Sequence, residues 1–150
     1  MIAIACDHGG LNLKKTVVDY LKSAGIPYKD FGTDGEASCD YSDYAYRVTA
    51  SIQNREAESG ILICGTGIGM SMAANKARGI RAAVCCDVFS AKMTRAHNDA
   101  NILCLGERVT GPGHALEIVK AFLGAGEAEG GRHAARRDKI SAYEKEHIKG

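Results

Sequence analysis

Short apolar runs alternate with longer amphipathic segments along the whole chain. Short apolar or β-branched runs predict strands, and apolar residues at helical spacing predict helices. The pattern predicts five strands, at 2–6, 26–31, 60–64, 81–85 and 101–105. It predicts six helices, at 11–24, 42–57, 69–77, 88–97, 112–124 and 132–147.

An alternation of strands and helices is typical of a parallel sheet with helices on both faces. Right-handed crossovers then give a single Rossmann-like, three-layer α/β/α domain with a five-stranded parallel sheet, spanning residues 1–150. In the first helix, Leu13, Val17 and Leu21 recur at helical spacing, and Gly25 follows as a C-terminal cap. The last helix, 132–147, has few apolar residues and follows a glycine-rich segment, so we expect it to contact a partner subunit.

The composition excludes several classes of partner. Nineteen Lys and Arg against eighteen Asp and Glu leave a net charge of +1, which provides no field to attract nucleic acid or an anionic membrane. No run approaches the roughly 20 apolar residues of a membrane helix, and MIAIACDHGG shows neither a basic leader pattern nor a long apolar segment, so we expect no targeting segment. The six cysteines have neither CxxC spacing nor zinc-ligand spacing with histidine. We therefore expect a cytoplasmic protein without a bound metal, whose reduced thiols are mostly core residues.

Polar residues collect next to the predicted strands. Asp7 and His8 follow the first strand, and Cys64 with a glycine-rich turn follows the third. His97 and Asn98 precede the fifth strand, and we expect them near the same pocket. Since ligands of such sheets bind beyond the carboxyl ends of the strands, these residues predict the functional site.

The turn CGTGIG, residues 64–69, allows several interpretations. Its free amides suit a phosphate or a developing oxyanion, although glycines also build tight turns that hold no ligand. The dinucleotide fingerprint GxGxxG needs a glycine where Met70 stands, and a cysteine phosphatase needs an arginine at that same position. Both classes are therefore disfavoured, while a Cys64 thiolate acting as a base remains open.

Arg132 and Arg136 are spaced to lie on one helix face, where two guanidinium groups suit a phosphate. Considered singly, the two arginines could also belong to a solvent-exposed basic helix face, and His97 could be an ordinary surface histidine.

Two other classes of protein remain open. A nucleotide-binding sensor module explains the glycines but gives Cys64 and His97 no task, and a thiol oxidoreductase lacks a resolving cysteine.

Five stretches together resemble the type B ribose-5-phosphate isomerase family, which also contains galactose-6-phosphate and allose-6-phosphate isomerases. They are CDHGG (6–10), DYSDYA (40–45), ILICGTGIGMSMAANK (61–76), HNDANILCLGERV (97–109) and EGGRH (129–133) followed by Arg136. The resemblance implies aldose–ketose isomerisation of a phosphorylated sugar through an enediol, without metal or organic cofactor. It also implies a homodimer or dimer of dimers with active sites shared between subunits. Ribose 5-phosphate is the expected substrate, and a 6-phosphohexose (allose or galactose) is the alternative.

The resemblance also implies roles for individual residues. Cys64 matches the proton-abstracting base, His97 with Thr66 matches the groups that assist ring opening, and Asp7 matches a hydrogen-bonding contact to the sugar. The phosphate contacts match His8, Arg132 and Arg136. The enediolate stabilisers match Asn98 and the backbone amides of Gly65, Gly67, Ile68 and Gly69.

Some positions depart from the family pattern or are less distinctive. Tyr44 is expected among the substrate contacts, although Tyr41, Tyr44 and Tyr46 also fit ordinary helix packing. Ser42 stands where the family's DYPDYA has a proline, which should loosen a turn. Arg137 follows Arg136 where an apolar residue is usual, so either arginine could meet the phosphate.

Overall fold

The computed structural model describes residues 1–148. In that range the chain forms five strands: β1 Ile2–Cys6, β2 Tyr28–Asp30, β3 Ser59–Cys64, β4 Ala82–Val84 and β5 Ile102–Gly106. It forms six α-helices: α1 Leu11–Ser23, α2 Tyr41–Gln53, α3 Ile68–Ala74, α4 Val88–Asn98, α5 Pro112–Leu123 and α6 Arg132–His147. A short 3-10 turn, His8–Gly10, joins β1 to α1. None of the helices in the described part of the chain is long and apolar enough to cross a membrane.

The strands form one parallel sheet in the order β2-β1-β3-β5-β4. The predicted three-layer α/β/α fold with a five-stranded parallel sheet is confirmed. From β1 the chain crosses outward to β2, and then returns past β1 to β3. The carboxyl ends of β1 and β3 therefore flank a point where the strand order reverses, which is the usual binding crevice of such sheets.

Both faces of the sheet are covered by apolar cores. Side chains alternate along a strand, so Ile2 and Ile4 of β1 pack in the core beneath α1, α4 and α5, while Ala3 and Ala5 face α2 and α3. Cys64 belongs to the second core. Burial on both faces makes the central strands read as continuous apolar runs, which is why the sequence predicts them well.

Some helix ends differ from the prediction because of local hydrogen bonding. Helix α2 ends at Gln53 rather than near 57, since Arg55 adopts a left-handed conformation with φ of 61°. Helix α3 ends at Ala74 rather than near 77. The Asn75 side chain there binds the backbone N–H and C=O of Ala82 at 2.8 and 2.9 Å, which joins the helix end to β4. Gly25, with φ of 65°, ends α1 as predicted.

Helix α6 runs from the end of α4 to the segment before the edge strand β4. The carboxylate of Glu144 accepts a hydrogen bond from the Gly79 amide, just before β4, at 2.8 Å. Over residues 132–147, all of them described, no side chain of α6 is buried. Ile140 and Tyr143 are 55% and 64% exposed. The helix thus leaves an apolar surface open to solvent.

Candidate active site

The loop after β1 presents Asp7 and His8 at the carboxyl edge of the sheet. Asp7 is buried and caps the following turn, because its Oδ1 accepts a hydrogen bond from the Gly9 amide at 2.8 Å. His8 Nδ1 accepts from the Cys39 amide at 3.2 Å. A neutral His8 in this arrangement carries its proton on Nε2. The Nε2–H group is then left to donate to an anion.

The loop that supplies the Cys39 amide is held by a buried lysine. Lys14 Nζ donates to Asp30 Oδ1 at 2.9 Å, to Asp34 Oδ1 at 3.0 Å and to the Thr33 carbonyl at 2.7 Å. The Lys14 side chain is only 4% exposed, so these contacts compensate the burial of its charge. This anchor fixes the loop after β2 beside β1, and thereby helps to fix the orientation of His8.

Cys64 is the last residue of β3 and is 4% exposed. Its Sγ accepts a hydrogen bond from the backbone amide of Gly67 at 3.1 Å. Gly67 has φ of 78°, and a Cβ there would lie 3.0 Å from the Leu105 carbonyl carbon, so a glycine is needed to aim this amide. The amide places a partly positive hydrogen where a thiolate carries its charge.

Other cysteines behave as core residues. Burial raises the pKa of Cys6 to about 12 and that of Cys85 to about 11, and it raises the pKa of the fully buried Cys104 well above its usual value. These three groups therefore remain neutral thiols at physiological pH. All six cysteines are free within residues 1–148, which agrees with the prediction of unpaired thiols.

The rest of the glycine-rich turn is open at the surface. Thr66 is exposed, and its Oγ1 accepts from the Ile68 amide at 3.3 Å. The Tyr41 ring lies directly over Gly69, where a Cβ would come within 2.7 Å of the ring carbon Cζ. Gly69 thus permits an aromatic wall beside the turn.

Tyr44 lies beside the loop after β2 rather than beside the turn after β3. Its ring lies against Gly32 and below the guanidinium of Arg47, whose Cζ is 4.7 Å from the ring centre, and it packs on the core beneath α2. Tyr41, at the first turn of α2, contacts the turn after β3 instead. The sequence could not show which tyrosine lies beside this turn, because it does not fix the rotation of α2. Ser42 lies inside the first turn of this helix rather than in a loop.

The sequence interpretation missed Arg108. This exposed arginine follows β5, and its guanidinium borders Gly65, where a Cβ would lie 3.4 Å from Cζ. Its amide donates to the Gly65 carbonyl at 3.1 Å. The rule that ligands bind beyond the carboxyl ends of strands also applies to β5, so the loop after that strand was the signal for it.

His97 and Asn98 lie at the opposite edge of the sheet from Cys64, so within one chain they are not near the crevice at the carboxyl ends of β1 and β3. They are the last two residues of α4, which starts after the carboxyl end of β4 and returns to the amino end of β5. The strands β3 and β5, which have six and five residues, each span roughly 15–20 Å from the amino edge to the carboxyl edge of the sheet. Within one chain, His97 therefore cannot reach a substrate at Cys64.

Helix α6 starts beside His97. The His133 ring stacks on the His97 ring with centroids 4.0 Å apart. Arg137 binds the backbone carbonyls of His97 and Glu129, both at 2.9 Å. Arg132 and Arg136 are exposed, and their side chains form no hydrogen bond to any residue within 1–148.

The predicted site thus forms two halves in one chain. The carboxyl-edge half contains Asp7, His8, the turn Cys64–Gly69, Tyr41 and Arg108. The amino-edge half contains His97, Asn98, Arg132 and Arg136. Met70, which holds the position that a cysteine phosphatase needs for arginine, is fully buried in the core beneath α2 and α3.

A family model and a curated relative both identify this chain as similar to sugar-phosphate isomerases. The family model described as Ribose/Galactose Isomerase matches residues 2–140. Ribose-5-phosphate isomerase B of Escherichia coli is 48% identical over 143 residues, covering 95% of each chain.

Solved structures agree. A ribose-5-phosphate isomerase B of Clostridium thermocellum has 53% identity and a TM-score of 0.95, covering 97% of this chain and 98% of the other. A ribose 5-phosphate isomerase of Thermotoga maritima has 50% identity and a TM-score of 0.91, covering 94% and 97%. The chain belongs to the ribose/galactose isomerase family.

Proposed function

We propose that the protein interconverts ribose 5-phosphate and ribulose 5-phosphate through an enediol, without a cofactor. The observation that carries this proposal is the Cys64 thiol at the carboxyl end of β3, with the Gly67 amide 3.1 Å from its sulfur. A base beside an amide-rich turn is what proton transfer next to a carbonyl requires. The full-length similarity to ribose-5-phosphate isomerases supports this choice of substrate.

Binding begins with the phosphate. The proton on His8 Nε2 and the guanidinium groups of Arg132 and Arg136 offer charge-assisted hydrogen bonds to its oxygens. The two arginines are exposed and free to do so. Arg137 is committed to two backbone carbonyls, and this favours Arg136 as the phosphate ligand.

Ring opening comes next. His97 transfers a proton between the ring oxygen and the anomeric hydroxyl, with the exposed Thr66 hydroxyl and the buried Asp7 as neighbours of the sugar. Opening exposes the C1 aldehyde and makes the proton on C2 acidic.

Proton transfer completes the reaction. The Cys64 thiolate removes the C2 proton, the electrons of that bond form a C1–C2 double bond, and the C1 oxygen takes up the negative charge. Return of the proton to C1, with transfer of the C2 hydroxyl proton to the C1 oxygen, gives the ketose. The amides of Gly65 and Gly69 and the Asn98 side chain stabilise the enediolate, at about 3 kcal/mol per donor. The Gly67 and Ile68 amides donate to Cys64 Sγ and Thr66 Oγ1.

The active site in this proposal is shared between two copies of the chain. Because the two halves lie at opposite edges of the sheet, a complete site needs the carboxyl edge of one copy against the amino edge of another. A twofold axis makes two such sites at once. Exposed apolar side chains on both halves support this contact, including Met72 (64% exposed) and Phe89 (71%) beside the carboxyl edge and Tyr143 (64%) on α6. We place this dimer, or a dimer of dimers, in the cytoplasm, in keeping with its free thiols.

Arginine substitutions should separate phosphate binding from structure. Arg136→Ala is expected to raise KM for the sugar phosphate by about 10- to 100-fold, because that is the loss of affinity expected when one hydrogen bond to a charged group is removed. The Tm should change little. Arg137→Ala should instead lower Tm, because it removes the two hydrogen bonds that fasten α6 to the end of α4. Steady-state kinetics and thermal unfolding of both variants check this. Equal KM values for Arg136→Ala and the wild type would assign the phosphate elsewhere.

The substrate is tested by comparing kcat/KM for ribose 5-phosphate, allose 6-phosphate and galactose 6-phosphate. We expect the pentose phosphate to be the best of the three. If it is the poorest, the protein is a 6-phosphohexose isomerase. Stabilisation by nucleotides but by none of the sugar phosphates in a thermal-shift screen would indicate a sensor module instead.

A further inference from the structure

Three potential metal-ligand atoms meet at the start of α6, although the sequence spacing gave no sign of a metal site. They come from His97, Glu129 and His133, and all lie within 4.8 Å of one another. His97 Nε2 is 3.8 Å from Glu129 Oε1, and His133 Nε2 is 3.6 Å from Glu129 Oε2. Both imidazoles therefore direct the same nitrogen toward one carboxylate.

Two histidines and a glutamate are a donor set that zinc enzymes use, with a further position left for water or substrate. Metal–nitrogen and metal–oxygen bonds of 2.0–2.2 Å place neighbouring ligand atoms roughly 3.3 Å apart in a tetrahedron. The observed 3.6 and 3.8 Å are slightly longer. The His97 and His133 ligand atoms lie within 4.8 Å of each other, so the stacked side chains have to rotate for all three ligands to reach one ion.

The ligands are held in place by backbone contacts. The Glu129 amide donates to the Ala96 carbonyl at 2.7 Å, and Arg137 binds the carbonyls of both Glu129 and His97. These bonds fix the segment before α6 on the end of α4. Two of the three ligands therefore come from backbone that is already positioned, which lowers the entropy lost on binding.

The charge around the cluster opposes a bound cation. Arg132 and Arg136 are exposed residues of the first two turns of α6, next to His133 in the chain. Their positive charges repel a dication, so the bound ion should be removable by a chelator.

We propose that His97, Glu129 and His133 bind a divalent transition-metal ion such as Ni²⁺ or Zn²⁺, and that the ion inhibits the enzyme reversibly by occupying the His97 imidazole. The inhibition rests on the proposed function, in which His97 opens the sugar ring. Binding of the ion is independent of that function. The bound ion is regulatory in this proposal and takes no part in turnover.

Binding is measured first, by calorimetry with Ni²⁺ on untagged, full-length protein carrying Cys64→Ala. Ni²⁺ suits imidazole ligands, and the substitution removes the thiol most able to compete. We expect one ion per chain. Adding Glu129→Gln or His133→Asn should weaken binding by about tenfold or more, while His114→Asn, at an exposed histidine of α5, should not change it. Unchanged affinity in the Glu129 and His133 variants, each folded by circular dichroism, would overturn the site.

Inhibition is measured on the protein with Cys64 intact. Ni²⁺ should suppress isomerase activity, and EDTA should restore it. Glu129→Gln should keep its activity in EDTA but need about tenfold more Ni²⁺ for half-inhibition. Binding at this site without inhibition would contradict the regulatory role. A protein that binds Ni²⁺ but isomerises no sugar phosphate in EDTA would instead refute the proposed function and leave the metal site standing.

Discussion

Cys64→Ala is expected to lower the turnover of sugar-phosphate isomerisation by about 10²- to 10⁴-fold or more, the usual contribution of a general base. The substitution removes the sulfur that accepts a hydrogen bond from the Gly67 amide at the binding crevice, and with it the proposed base. Exchange of the C2 proton with deuterated water should fall in parallel with turnover, since both require the same deprotonation. The fold should survive, because Cys64 is a small side chain at the end of β3.

The matched control is Cys86→Ser, which removes an exposed thiol that lies outside the proposed site. It should leave both turnover and exchange near the wild-type values. If Cys64→Ala keeps both near wild type, Cys64 is not the base. If turnover falls but exchange persists, a different group removes the C2 proton and Cys64 acts at another step.

The central part of the fold follows directly from the sequence. β1, β3 and β5 are buried on both faces of the sheet. Their sequences are therefore continuous apolar runs, which are easily recognised as central strands. The edge strands β2 and β4 are only three residues long, and both are predicted too long. Their ends are set by contacts such as the Asn75 side chain on Ala82, which the local pattern does not contain.

The candidate site was predictable in part. Residues that directly follow a strand, such as Asp7 and Cys64, reach the carboxyl edge by chain connectivity alone. His97 could also have been placed, because a helix that follows a parallel strand must run back to the amino edge before the next strand starts. Tyr41 and Tyr44 could not be distinguished, since the rotation of α2 depends on packing against α3.

The convergence of His97 with Glu129 and His133 lies beyond what the sequence allows. The segment before α6 is irregular, and its course is fixed by Arg137 and by the Glu129 amide on Ala96. Neither contact produces a hydrophobic pattern in the sequence from which it could be predicted. The guanidinium of Arg137 is committed to the backbone carbonyls of His97 and Glu129, which favours Arg136 as the proposed phosphate ligand.

Two inactive variants should restore activity when they share a dimer. Cys64→Ala disables the carboxyl-edge half and His97→Asn disables the amino-edge half, so each homodimer has no complete site. A heterodimer of the two pairs the intact carboxyl edge of one chain with the intact amino edge of the other. Such a heterodimer, isolated with two different tags after co-expression, should regain about half of the wild-type turnover from its single complete site.

The reversed pairing is the matched control. A chain carrying both Cys64→Ala and His97→Asn, paired with a wild-type chain, should be inactive in a shared-site dimer because each site then contains one disabled half. A site contained within one chain predicts the opposite for both dimers. The turnover of these two heterodimers, measured side by side, therefore tests most directly whether the active site is shared between two chains. Activity only in the Cys64→Ala with His97→Asn pair is the predicted result, and activity only in the wild-type pair would contradict it.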